Sequence, residues 1–139
     1  MTSDNLENLA SIGRLKKEPP REDELKGLKQ SALSRLADAE RPNLTFDSRF
    51  DLAYNAAHAL ALYALRRSGY RSDNRALVFQ ALPDTAGLST GHWRTLANAH
   101  AKRNRMEYEG VMEQDKRLLA DVIRSARALI EVLGLNEGR

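Results

Sequence analysis

The segment Lys102-Arg103-Asn104-Arg105-Met106-Glu107-Tyr108-Glu109-Gly110 puts a guanidinium, an amide, a carboxylate and a phenol within about two helical turns. Arg103 can hold phosphate oxygens through two parallel N–H bonds, because its planar fork keeps its charge throughout the physiological pH range. Asn104 can orient a phosphate or a sugar hydroxyl, while Glu107 and Tyr108 are candidates for moving a proton. His100 lies one turn before Arg103 and is a further proton carrier if one helix runs through both. The plainer reading is a solvated helix end, in which Arg103 and Glu107 form an i,i+4 ion pair worth about 0.2–0.5 kcal/mol.

A second set of polar residues lies upstream. Ser48, Asp51, Asn55 and His58 recur at i+3, i+4 and i+3, which confines them to a sector of roughly 80° on a helix. Leu62 closes the strip toward its C-terminal end. Two readings are open: a seam facing solvent, or one wall of a polar cleft that brings His58 toward the basic motif. A lone histidine on a helix is as readily a structural residue as a functional one.

The elements that must carry these groups read as helices throughout. Leu6, Leu9, Ile12 and Leu15 suggest a short first helix, which Pro19-Pro20 ends. Arg21-Glu22-Asp23-Glu24 then supplies an acidic first turn of the kind a helix dipole favours. Leu25, Leu28, Ala32, Leu36 and Ala39 make one stripe, stopped near Arg41-Pro42. The central helix takes Thr45 or Asp47 as its N-cap and ends at Ser68-Gly69. Phe46, Phe50, Ala53, Ala56, Ala57, Leu60, Ala61 and Ala64 cover more than half its circumference, so it must be buried, and its alanines let neighbours approach closely.

A short helix follows, with Ser72 or Asp73 as cap, Leu77, Val78, Phe79 and Leu82 as contacts and Pro83 as stop. Ser89 or Thr90 opens the helix that runs through Trp93, Leu96 and Ala97 into the basic motif, and Gly110 breaks it. The last helix has the clearest period: Leu118, Leu119, Val122, Ile123, Ala126, Leu129, Ile130 and Leu133. Gly134 and Leu135 fit a Schellman stop. No segment shows sustained alternation, so no strand is expected. The expected fold class is all-α: a single-domain bundle of about five helices, with residues 1–20 as a short helix and Pro-Pro linker and residues 21–139 as the bundle.

Composition narrows the chemistry. The chain has 139 residues, 42% of them hydrophobic and 29% charged, which suits one domain with a real core. No apolar run nears the roughly 20 residues that span a bilayer, and no amphipathic segment pairs a basic face with bulky aromatics, so no membrane association is expected. The first residues lack a basic stretch followed by an apolar one, so no signal peptide is expected. With zero cysteines, disulfides, thiolate metal sites and cysteine nucleophiles are excluded, which fits a cytoplasmic protein. His58, His92 and His100 have no metal-ligand spacing, so neither a metal nor another cofactor is expected. The net charge of +3 conceals an asymmetry: residues 66–105 hold eight basic and two acidic side chains, net +6, leaving −3 for the rest. Concentrated basic charge is the footprint of a phosphate or nucleic-acid binder.

The alanine-rich helix beginning Phe50-Asp51-Leu52-Ala53-Tyr54, a short linker helix, and an Arg-Asn motif ending the next helix together resemble the HEPN family. The resemblance runs from about Arg21 to Leu133. It implies an all-α bundle that dimerises so that two copies of the motif face one cleft, as in metal-independent ribonucleases of toxin or defence type. Arg103 matches the signature arginine and Asn104 the polar residue beside it. Four residues later Tyr108 stands where the family pattern has histidine. The resemblance therefore implies either an RNA-binding protein or endoribonuclease working as a homodimer, or an inert relative. The inert form would bind a nucleotide or a protein partner, such as a nucleotidyltransferase-like antitoxin. The proton transfer that histidine performs in the motif would fall to Tyr108, better suited as a general acid than as a base, or to one of three substitutes, Glu107, His100 or His58.

Overall fold

The computed structural model describes residues 4–110 and 114–136. In chain order its helices are α1 Asp4–Ser11, α2 Glu22–Ala39, α3 Phe46–Arg67, α4 Arg75–Gln80, α5 Leu82–Thr85, α6 Thr90–Glu109 and α7 Lys116–Leu133. Two dipeptides, β1 Lys16–Lys17 and β2 Tyr70–Arg71, pair antiparallel, with Lys16 opposite Arg71 and Lys17 opposite Tyr70. The domain is mostly helical, as expected. Two expectations are corrected: among the described residues there are seven helices instead of about five, and one short ladder where no strand was expected.

The alanine-rich segment explains the architecture. Thr45 caps α3, its hydroxyl accepting the Ser48 N–H at 3.2 Å. Ala53, Ala56, Ala57, Leu60, Ala61 and Ala64 are all fully buried, because α3 packs along α2 and α7 and against α4 and α6. So broad a buried arc leaves only a narrow strip of α3 for polar groups. That strip faces α6.

Helix α7 follows its period, with Leu118, Leu119, Val122, Ala126, Leu129, Ile130 and Leu133 buried. Its end is the expected Schellman stop. Gly134, at φ 73°, donates to the Glu131 carbonyl at 3.1 Å, and Leu135 donates to Ile130 at 3.0 Å while its side chain is buried. Gly134→Ala forces an L residue into the left-handed region and should cost about 1 kcal/mol. A lower urea midpoint at unchanged slope would register that cost; an unchanged midpoint would contradict it.

Local readings fail where tertiary partners take over. Helix α1 stops at Ser11, so Ile12 is exposed and Leu15 reaches the core from a loop that turns at Gly13, φ 81°. Asn74, and not Ser72 or Asp73, caps α4, accepting the Leu77 N–H at 3.1 Å, while the Ser72 hydroxyl accepts the Asn74 N–H. Pro83 does not end a helix: it sits in the first turn of α5, where a missing N–H costs nothing.

The N-terminal segment is fastened by a buried cation. Arg66 is 0% exposed and uses all five of its N–H donors. Nη1 donates to the Glu18 and Tyr70 carbonyls at 2.9 and 3.0 Å, Nη2 to the Pro19 carbonyl at 2.9 Å and Glu18 Oε2 at 3.3 Å, and Nε to Glu24 Oε1 at 3.1 Å. Arg71 binds the same two carboxylates from the other side, at 2.8 and 2.7 Å. Two cations and two anions close on one another, and the cluster joins residues before α2 to the end of α3.

Candidate functional site

Helical spacing gathers the polar groups on two facing helices. On α3, Asp51, Tyr54 and His58 stand at i, i+3 and i+7. On α6, His100, Arg103, Asn104 and Glu107 stand at i, i+3, i+4 and i+7, each set on one face. The two faces meet at two bonds. Arg103 Nε donates to Asp51 Oδ1 at 3.0 Å, and the Tyr54 hydroxyl is 2.9 Å from His100 Nδ1.

Arg103 is held on three sides. Besides Asp51, its Nη1 donates to Glu107 Oε1 at 3.0 Å, and its guanidinium lies over the Tyr54 ring, 5.1 Å from the centroid. Nη2 has no hydrogen-bond partner among the described residues, so one edge of the fork remains open to an anion. Asn104 Nδ2 lies 3.3 Å from His100 Nε2. His100 thereby links the motif to the interior, its ring stacked on Tyr54 at 6.0 Å.

Helix α4 completes the floor. Arg75 reaches the Tyr54 hydroxyl at 3.4 Å and lies 5.8 Å from its ring centroid, and the buried Phe79 ring contacts Tyr54, His58 and His100. Burial first, then the Arg75 and Arg103 guanidiniums, hold His100 below the ordinary histidine value of 6.5. Burial first, then Arg75 and His100, push His58 down to about 4. Both shifts favour the neutral ring at pH 7.

The remaining members of the polar strip do other work. Ser48 supports the α3 cap, and Asn55 Nδ2 donates back to the Asp51 carbonyl at 2.9 Å. Tyr108 is 89% exposed and has no hydrogen-bond partner among the described residues. The structure thus brings together Arg103, Asn104, Glu107, Asp51 and His100, places His58 behind Phe79, and leaves Asn55 and Tyr108 apart. Sequence reasoning missed Tyr54 and Arg75. Tyr54 lies three residues from Asp51 and four from His58, which was a signal, although an aromatic beside an apolar arc reads first as core.

The basic footprint also contracts. Arg66 and Arg71 are neutralised by Glu18 and Glu24, Lys102 pairs with Asp115 at 3.8 Å, and Arg67 donates to the Leu133 carbonyl over the Tyr63 ring. Among the described residues Arg75, Arg94 and Arg105 have no carboxylate partner. Nor do those residues contain a group of three His, Asp or Glu side chains able to hold a metal ion, or a helix long and apolar enough to cross a membrane. An apolar groove of about 570 Å³ lies elsewhere, between Phe46 and Arg49 of α3 and Leu119 and Ile123 of α7. Comparison with protein-family models, curated proteins and solved structures finds no match to this chain.

The partly buried histidines make stability pH-dependent. The folded-state values of His58 and His100 lie below 6.5, so the unfolded chain takes up protons first as pH falls. Stability from this source is complete above about pH 6.5 and is lost toward pH 4. The paired carboxylates Glu7, Glu18, Asp23 and Glu24, all lowered, add their own loss only below their ordinary values near 4. Urea unfolding between pH 5 and 7 isolates the histidines. Wild type should weaken across that window, and His58→Gln should flatten the profile; equal slopes in the two proteins would refute this account.

Proposed function

We propose that this chain is an RNA-binding protein of HEPN type, working as a homodimer, in which Arg103 and His100 engage a phosphodiester between α3 and α6. The observation that carries this reading is the constellation of Arg103, with one guanidinium edge open, beside a neutral His100 held by a buried tyrosine. Phosphate contacts supply most RNA affinity, and arginine matches phosphate geometry bidentately. Breaking the backbone without a metal also requires removing the 2′-hydroxyl proton, stabilising charge on phosphorus and protonating the leaving oxygen. Arg103 suits the second task. Asp51 and Glu107, both bonded to Arg103, and His100 one turn away are the proton-carrying groups around it, and with them a metal-independent endoribonuclease of toxin or defence type is the catalytic form of this reading.

One observation favours a second reading, an inert module that binds a nucleotide or an antitoxin-like protein partner. Arg103 is already engaged by both Asp51 and Glu107, and Tyr108, in the place of histidine, points away from it. Incubating wild type and Arg103→Ala with end-labelled tRNA and mixed RNA in EDTA separates the outcomes. Fragments from wild type alone mean metal-independent cleavage. RNA shifted but intact, and only by wild type, means binding without chemistry. RNA neither shifted nor cut by wild type removes the first reading and leaves the inert module.

A further inference from the structure

We propose that Tyr54 is a positioning residue that fixes His100 as its Nε2–H tautomer, so that His100 meets the phosphate as a hydrogen-bond donor and not as a base. The role of His100 rests on the RNA-binding reading; the tautomer rests on geometry alone. Six groups face the imidazole: Tyr54 and His58 from α3, Arg75 and Phe79 from α4, and Arg103 and Asn104 from its own helix. Among the described residues only Tyr54 and Asn104 are within hydrogen-bond reach of its nitrogens, at 2.9 and 3.3 Å.

Two proton arrangements are open to this chain of bonds. In one, His100 Nδ1–H donates to the Tyr54 oxygen. That oxygen already accepts from Arg75, which is always charged and can only donate. The phenol proton of a side chain 1% exposed is then left without an acceptor, a cost comparable to a lost hydrogen bond. In the other, Arg75 donates to the Tyr54 oxygen, Tyr54 donates to Nδ1, and the imidazole proton sits on Nε2. Asn104, whose amide can present either oxygen or nitrogen, then turns its Oδ1 to accept that proton. Every buried group is satisfied in the second arrangement alone.

The consequence for the site is a division of labour. Nε2–H lies on the Asn104 side, one turn from the open edge of Arg103, so an arriving phosphate replaces Asn104 as its acceptor. A base for any 2′-hydroxyl must then be a carboxylate, and Asp51 and Glu107 are the two bonded to Arg103. The arrangement also explains why a tyrosine is buried beside two guanidiniums: it relays the Arg75 bond to the imidazole.

Histidine-selective ¹⁵N NMR of the full chain tests this near neutral pH. Wild-type His100 should show a protonated-type shift at Nε2 and a lone-pair-type shift at Nδ1. Tyr54→Phe removes the donor to Nδ1 and should convert the single tautomer into a mixture, with melting temperature recorded alongside. Arg75→Gln, at an exposed position, should shift the population the same way to a smaller extent. A wild-type spectrum with the proton on Nδ1 overturns the assignment even if neither variant folds, and so does an unchanged tautomer in a folded Tyr54→Phe. Loss of the RNA-binding reading would show instead as Arg103→Ala binding RNA like wild type, with the wild-type His100 spectrum still as expected.

Discussion

Replacing Arg103 by alanine is expected to weaken single-stranded RNA binding by roughly ten- to a hundredfold while moving the melting temperature by no more than about 4 °C. Hydrogen bonds to charged groups contribute about 1.5–3 kcal/mol, and each 1.36 kcal/mol is about a factor of ten. The structural cost is small because the partners left behind, Asp51 and Glu107, are 47% and 58% exposed and can be solvated when the guanidinium goes. Such pairs are worth up to about 1 kcal/mol, or about 2–4 °C in a domain near this size. Arg103→Lys keeps the charge and loses the fork, so it should fall between the two proteins. Anisotropy titrations with a labelled oligoribonucleotide measure all three; equal affinity in wild type and Arg103→Ala would remove Arg103 from the site.

The opposite pattern is expected at Arg66. Arg66→Ala should cost about 3–5 kcal/mol and lower the melting temperature by roughly 10 °C or more, with no specific effect on RNA binding in protein that remains folded. The reason is burial. Arg66 is fully enclosed, and its removal leaves three carbonyls and the Glu18–Glu24 pair without their central cation, with Glu24 only 16% exposed. Arg71, 34% exposed, bonds the same two carboxylates, which keep Arg66 as partner when Arg71 is removed, so Arg71→Ala should cost far less. Thermal and urea unfolding of the two variants decide the matter. A loss at Arg66 no larger than at Arg71 would mean that the cluster does not fasten the N-terminal segment.

How much of this was legible in the sequence depended on range. The period of α7 and its Gly134-Leu135 stop involve groups within a few residues of one another and form as read, and of the two caps open to α3, Thr45 and Asp47, the first is the one used. Pro83 shows the limit of local rules, since proline both ends helices and fits their first turn; packing of the buried Leu82 selects the second. Arg66 was counted as surface charge because its partners Glu18 and Glu24 lie 48 and 42 residues away. The ladder of Lys16–Lys17 with Tyr70–Arg71 has no alternation to betray it, being two residues long.

The candidate site divides in the same way. Arg103, Asn104 and Glu107 are contiguous in one helix and could be named together. The approach of Asp51 and His100 needed only two helical faces to be drawn and then opposed. Tyr54 escaped because its partner is 46 residues distant and its ring belongs to the core while its hydroxyl belongs to the site. Arg75 escaped because its guanidinium acts through that hydroxyl, a relay that no spacing in the chain announces.

The most direct measurement is the affinity of the wild-type chain for single-stranded RNA across a series of salt concentrations, with Arg103→Ala alongside and both melting curves recorded. Saturable wild-type binding that weakens as salt rises, and is roughly ten- to a hundredfold weaker in an Arg103→Ala protein that remains folded, is the predicted result. Failure of wild type to bind at the lowest salt, or identical curves for the two proteins, would contradict it.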